Sequence, residues 1–155
     1  VQAITDPHQT AINQLNQRTN KDTSGLNVLV VEDNQDNQMI LKGMLAKINI
    51  HPDIADDGLR AIERVDTQHY DLILMDCEMP EMDGYEATKQ IRAKEKLFSR
   101  QPSTVVALSA HARSDHKNKA MQVGMDDYKT KPITQSDLLK IIQVAQARRT
   151  TAKDL

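Results

Sequence analysis

A chain of 155 residues with net charge −2, 39% apolar and 27% charged residues, has the makeup of one globular domain with length to spare. The charge balance argues against a general nucleic-acid surface, and the single cysteine, Cys77, rules out an internal disulfide and fits a reducing compartment. No apolar run approaches the ~18 residues of a membrane span, and no signal peptide is visible.

Residues 1–25 are rich in Gln, Asn and Thr. Ile4, Ala11, Ile12 and Leu15 could line a short helical face, but the stretch reads better as a flexible lead-in or linker that ends at Ser24-Gly25. Asn27 to Val31 is a buried strand that stops at Glu32-Asp33. Asn34 suits the cap of a helix whose apolar face is Ile40, Leu41, Met44, Leu45 and Ile48, with Gly43 inside it for close packing. Ile50 to Ala55 is a weaker strand, placed at a sheet edge by Pro52. Asp57-Gly58 then turns the chain into a helix carrying Leu59, Ala61, Ile62 and Val65.

Asp71 to Met75 is an apolar run that leads straight into Asp76, and Pro80 marks the end of any ladder. After Glu81-Met82-Asp83-Gly84 comes a helix over Tyr85 to Ala93, then a polar loop or frayed end from Lys94 to Ser103. Thr104 to Ser109 is a third buried strand. A helix over Ser114 to Val123 stops at Gly124. Asp126 to Lys129 forms a short strand ahead of Lys131-Pro132. The last helix opens at Thr134, with Asp137 three residues on as a capping box, and buries Leu138, Ile141, Ile142 and Ala145. Residues 148–155 read as a polar tail. With only Phe98, Tyr70, Tyr85 and Tyr128 as aromatics, the core is expected to be aliphatic and methionine-based. Strands alternating with helices predict a parallel sheet with helices on both faces.

In such a sheet the carboxyl ends of the strands share one edge, where ligands bind. Here they carry Glu32 and Asp33, then Asp76, then Ser109, then Lys131. Three neighbouring carboxylates repel one another unless a cation joins them. A hard, oxygen-seeking ion such as Mg²⁺ suits them, with Mn²⁺ able to substitute. A carboxylate held this way can attack phosphorus. Lys131 would supply positive charge and Ser109 a hydrogen bond to the phosphoryl oxygens, and phosphoryl transfer depends mostly on such positioning and neutralisation.

Over about Leu26 to Ala147 the chain resembles the response-regulator receiver domains of two-component signalling. The blocks that carry the likeness are Glu32-Asp33-Asn34, Leu74-Met75-Asp76, Met79-Pro80, Met82-Asp83-Gly84-Tyr85, Leu108-Ser109-Ala110 and Lys131-Pro132. The resemblance implies a flavodoxin-like (βα)5 fold, a doubly wound parallel sheet of strand order 2-1-3-4-5, filling residues 26–147. It implies that Asp76 is the phosphoacceptor, catalysing its own phosphorylation with Lys131 and Ser109. Mg²⁺ would be held by Asp33, Asp76, Glu32 and the backbone carbonyl of Glu78. Ser109 and Tyr128 would form the switch, and Lys131-Pro132 would be cis. Glu78 and His111 occupy the positions that tune the lifetime of the phosphoryl group, and the bulk and charge of Glu78 predict slow self-dephosphorylation.

The wording around Asp76 and Lys131 is most similar to receivers fused to hybrid sensor histidine kinases. That implies a histidine kinase domain or a histidine phosphotransfer domain as partner, docking near the first helix. It also implies a cytoplasmic segment whose parent could be anchored in the inner membrane, and a signalling or dimerising face over residues 114–147. A stand-alone single-domain regulator is the alternative. A phosphatase of the haloacid dehalogenase type would place an aspartate where Glu78 stands and would carry a cap domain. A pseudo-receiver would lack one of the acidic or basic groups. No helix-turn-helix or basic recognition helix points to nucleic acid, and nothing points to direct membrane contact. Cys77 reads as a buried structural residue, and the five histidines as unrelated to one another; His111 and His116, five apart, do not share a helical face.

Overall fold

The computed structural model of the chain describes residues 25–153, so all of the lead-in but Gly25 lies outside the described residues. Five strands alternate with five helices: β1 (Val28–Val31), α1 (Gln35–Ala46), β2 (Asp53–Ala55), α2 (Gly58–Thr67), β3 (Leu72–Asp76), α3 (Gly84–Leu97), β4 (Thr104–Ser109), α4 (Ser114–Gln122), β5 (Asp127–Thr130) and α5 (Gln135–Lys153). The strands form one parallel sheet in the order β2-β1-β3-β4-β5, as the receiver resemblance implies. β3 is central, and β2 lies at an edge, where Pro52 costs no ladder bond.

Period-two alternation divides the core between the two faces. Leu29, Val31, Ile73, Met75, Val105 and Ala107 face Ala61, Ile62 and Val65 of α2, Ala87 and Ile91 of α3, and Ala120 of α4. Val28, Val30, Leu72, Leu74, Val106 and Leu108 face Leu41 and Leu45 of α1 and Leu138, Ile141, Ile142 and Ala145 of α5. Strands buried on both faces need continuous apolar runs, which is why β1, β3 and β4 read as they do. All three tyrosines are buried as well, so the core is less purely aliphatic than the composition suggests.

Local chemistry sets the helix starts. Asn34, Asp57 and Asp83 each accept a hydrogen bond from the backbone N–H three residues on, at 3.0, 2.8 and 2.9 Å. Thr134 and Asp137 bond each other's backbone N–H reciprocally, the expected capping box. Gly124 ends the turn after α4 at φ 101°, a conformation that favours glycine. The N-cap of α4, Arg113, makes no side-chain cap bond.

Several elements depart from expectation. Ile40 on α1 and Leu59 on α2 are exposed rather than inward, because each apolar stripe is narrower than the run of apolar residues. A Cβ on Gly43 would meet nothing within 4 Å, so close packing does not explain that glycine. α3 continues to Leu97, into the stretch read as a polar loop or frayed end, where Glu95 is buried and bonded to Arg92 and to the Ser103 N–H. α5 continues through Lys153, and Arg148, assigned to a tail, bonds Thr104 and Asp126. Among the described residues no helix is long and apolar enough to cross a membrane.

Candidate functional site

The ends of β1, β3, β4 and β5 converge. Asp76 terminates β3 with its side chain buried. Glu32, just past β1, is equally buried, and Asp33 beside it is exposed. Carboxylate oxygens of the three lie within 4.8 Å of one another. Lys131 reaches over from the end of β5, its Nζ 3.0 Å from Asp76 Oδ1 and 3.2 Å from Glu32 Oε2. Its backbone N–H donates to the Ser109 carbonyl at 2.7 Å, and Lys131-Pro132 is cis.

Glu32 is held by a further shell that the sequence reading did not include. The Asn34 backbone N–H and the Asn37 side-chain amide donate to its Oε1 at 3.2 and 3.3 Å, and Gln38 donates to its carbonyl at 2.7 Å. The signal was present as a run of amides at the start of α1, on the helix turn that faces the site. Gly84 fixes the loop after β3. A Cβ there would lie 2.2 Å from the Asp76 carbonyl oxygen, so the loop can close over Asp76 only without a side chain at this position.

Burial pushes the Asp76 carboxyl up to about 7, and the Glu32 charge adds to the rise; the hydrogen bond and charge of Lys131 pull it back down. Burial by itself would lower Lys131, but the hydrogen bond and charge of Asp76, with help from Glu32, raise it overall. The site therefore carries one cation for three carboxylates and has room for more positive charge. All-oxygen donors with two buried carboxylates suit a hard divalent cation and not a soft one.

The switch candidates come from the neighbouring strands β4 and β5. Ser109 Oγ is buried and donates to Glu78 Oε1 at 2.6 Å. The Ala110 N–H donates to the same oxygen at 2.9 Å. Tyr128 is buried, and its hydroxyl donates to the His111 carbonyl. The sequence reading missed two contacts here. Glu78 is bonded rather than free, and the His111 and His116 rings stack at 4.8 Å between centroids, 14° from parallel. Helical spacing did not apply to that pair, since His111 precedes α4. Cys77 is buried and free, and burial pushes its thiol up to about 12, which fits a structural residue.

A parallel doubly wound sheet with an acidic, lysine-bearing strand edge defines a class of phosphoryl-handling α/β domains. Residues 28–143 match the response regulator receiver domain family, and the chain belongs to that family. It is 45% identical over 120 residues to hybrid signal transduction histidine kinase B of Dictyostelium discoideum; that stretch is 72% of this chain and 6% of the relative. Among solved structures it is similar to the receiver domain of Ssk1 of Saccharomyces cerevisiae, co-crystallised with the phosphotransfer protein Ypd1, with 37% identity and TM-score 0.76 over 80% of this chain and 90% of that one. It is also similar to the receiver domain of the Pseudomonas aeruginosa sensor histidine kinase PA1611, which holds magnesium in its active-site cleft, with 36% identity and TM-score 0.71 over 80% and 99%.

Proposed function

We propose that this chain is the receiver of a hybrid histidine kinase. It takes a phosphoryl group from a phosphohistidine onto Asp76 and passes it to or from a histidine phosphotransfer domain. The observation that carries the proposal is the buried Asp76 carboxylate, 3.0 Å from Lys131 Nζ and within 4.8 Å of Glu32 and Asp33. Glu32, Asp33, Asp76 and the Glu78 carbonyl are the groups that would hold Mg²⁺, or Mn²⁺ in its place. When bound, the ion supplies positive charge for the phosphoryl oxygens.

The residues then have separate tasks. An Asp76 oxygen attacks phosphorus and forms an acyl phosphate. The P–N bond to the donor imidazole breaks, and its electron pair stays on that nitrogen, which takes up a proton. Lys131 neutralises charge on the transferred group, and the Ser109 hydroxyl bonds one of its oxygens, with Tyr128 following Ser109. Glu78 and His111 flank the path of an attacking water. Phosphoryl transfer gains most from this kind of positioning and neutralisation.

The partner face proposed is α1. Met39 and Ile40 are exposed there, beside a groove of about 320 Å³ that runs from Ile40 and Leu41 to Lys131 and Ile133. Exposed apolar residues next to the acceptor suit a helical phosphotransfer partner, and the Ypd1–Ssk1 complex supports that class. Incubation with acetyl phosphate and Mg²⁺ should add one phosphoryl mass to the chain, and Asp76→Asn should add none. Labelling that persists in the variant overturns the assignment.

A further inference from the structure

One carboxylate oxygen holds the whole switch. Glu78 Oε1 accepts from the Ser109 hydroxyl at 2.6 Å and from the Ala110 N–H at 2.9 Å. Ser109 Oγ accepts in turn from the His111 N–H at 3.0 Å, and the His111 carbonyl receives the Tyr128 hydroxyl. His111 Nε2 lies 3.6 Å from the same Glu78 oxygen. On the other side, the Glu78 N–H donates to Asp76 Oδ1 at 3.1 Å. β3 and β4 pair with Asp76 opposite Leu108, so Ser109 and Ala110 are the donors just past the acceptor on the neighbouring strand.

We propose that the Glu78 carboxylate is an internal stand-in for the phosphoryl group: it fills the Ser109 and Ala110 donors while Asp76 is unmodified, and phosphorylation displaces it. The proposal rests on the reading of Asp76 as phosphoacceptor. The acyl phosphate on Asp76 carries up to about two negative charges, about one more than the carboxylate it replaces, two residues from Glu78, so the two anions compete for the same donors and repel each other. Ser109 and Ala110 then exchange one charged acceptor for another. A ligand shifts a conformational equilibrium only by its differential affinity for the two states. Glu78 therefore keeps the 109–111 loop and Tyr128 docked before modification and reduces what phosphorylation can change there. Glu78 is a positioning residue for the switch, in addition to any effect on hydrolysis.

The test is amide hydrogen exchange on the full chain, read residue by residue by NMR, for wild type, Glu78→Ala and Glu78→Gln. Without phosphodonor, the Ala110 N–H should be protected in wild type, and Glu78→Ala should speed its exchange about tenfold or more, the scale of one charged hydrogen bond. Glu78→Gln keeps a neutral acceptor oxygen and should fall between. With Mg²⁺ and beryllofluoride as phosphoryl analogue, protection should return in Glu78→Ala, while wild type should change by less than about twofold. Leu74, central in β3, monitors folding; if Glu78→Ala loses protection there too, Glu78→Gln carries the comparison. Equal Ala110 exchange in unmodified wild type and the folded variant overturns the proposal. That comparison needs no phosphoryl transfer, so it fails separately from the acceptor assignment, which mass gain reads.

Discussion

At the scale of single residues, Asp76 is placed where a carboxylate is least stable and most useful. In the folded chain it keeps its proton up to about pH 7, whereas an unfolded aspartate releases it near 3.8. Between those values the folded state holds a proton that the unfolded state lacks, so the contribution of this group to stability falls as pH rises. Asp76→Asn removes the titration. Each pKa unit is about 1.4 kcal/mol; with Lys131 beside the group and solvent screening, the metal-free variant should be more stable than wild type by on the order of 2 kcal/mol at neutral pH. The gain should vanish near pH 4 and shrink when Mg²⁺ is added, as urea melts across pH would read. A gain that is flat with pH would separate it from Asp76 ionisation. Asp76, Asp33 and Lys131 were legible as a set, because the ends of the strands of one parallel sheet share an edge and bring these carboxylates and the amine together there. The Glu78–Ser109 bond was not, because its partners are 31 residues apart and only the fold brings them within reach.

At the scale of elements, two glycines in helices separate function from incident. Gly84 opens α3 with its Cα against the Asp76 carbonyl, so Gly84→Ala must move backbone, at a cost of about 2 kcal/mol or more, and should weaken Mg²⁺ binding as well. Gly43 faces open space in the middle of α1, so Gly43→Ala should stabilise by roughly 0.5–1 kcal/mol. Chemical denaturation of both variants checks the pair, and shifts of the same sign would refute the distinction. Strand positions and helix starts followed from apolar runs and capping residues, which act over three or four positions, whereas the strand order came from the receiver resemblance. The exposure of Ile40 and Leu59 could not follow from the same pattern, since periodicity marks which residues can face inward and packing decides which of them do.

At the scale of the whole molecule, the two ends of the sheet do different work. The carboxyl end gathers unlike charges around Asp76. The amino end is closed by Arg92, whose guanidinium donates to Glu95, to Asp126 and to the carbonyls of Ser103 and Gly124 at 2.8–3.0 Å. Glu95 is 4% exposed and also takes the Ser103 N–H at 2.7 Å, while Asp126 takes the Val105 N–H and pairs with Arg148. In sequence, Arg92 falls at the end of the expected helix and Glu95 in the polar loop or frayed end that follows it. In the fold they join α3, β4, the turn before β5 and α5. Exposed pairs contribute little, but removing one partner of a buried pair leaves a charge without compensation, at about 3–5 kcal/mol. Arg92→Met should therefore destabilise by about 3 kcal/mol, and Glu95→Gln in the same background should recover part of the loss, because the stranded charge is then gone. Mg²⁺ binding by the folded fraction should match wild type, since Arg92 lies at the opposite edge from Asp76. An Arg92→Met variant as stable as wild type in urea would reduce the network to surface decoration, and an altered Mg²⁺ affinity would show that the two ends of the sheet are coupled.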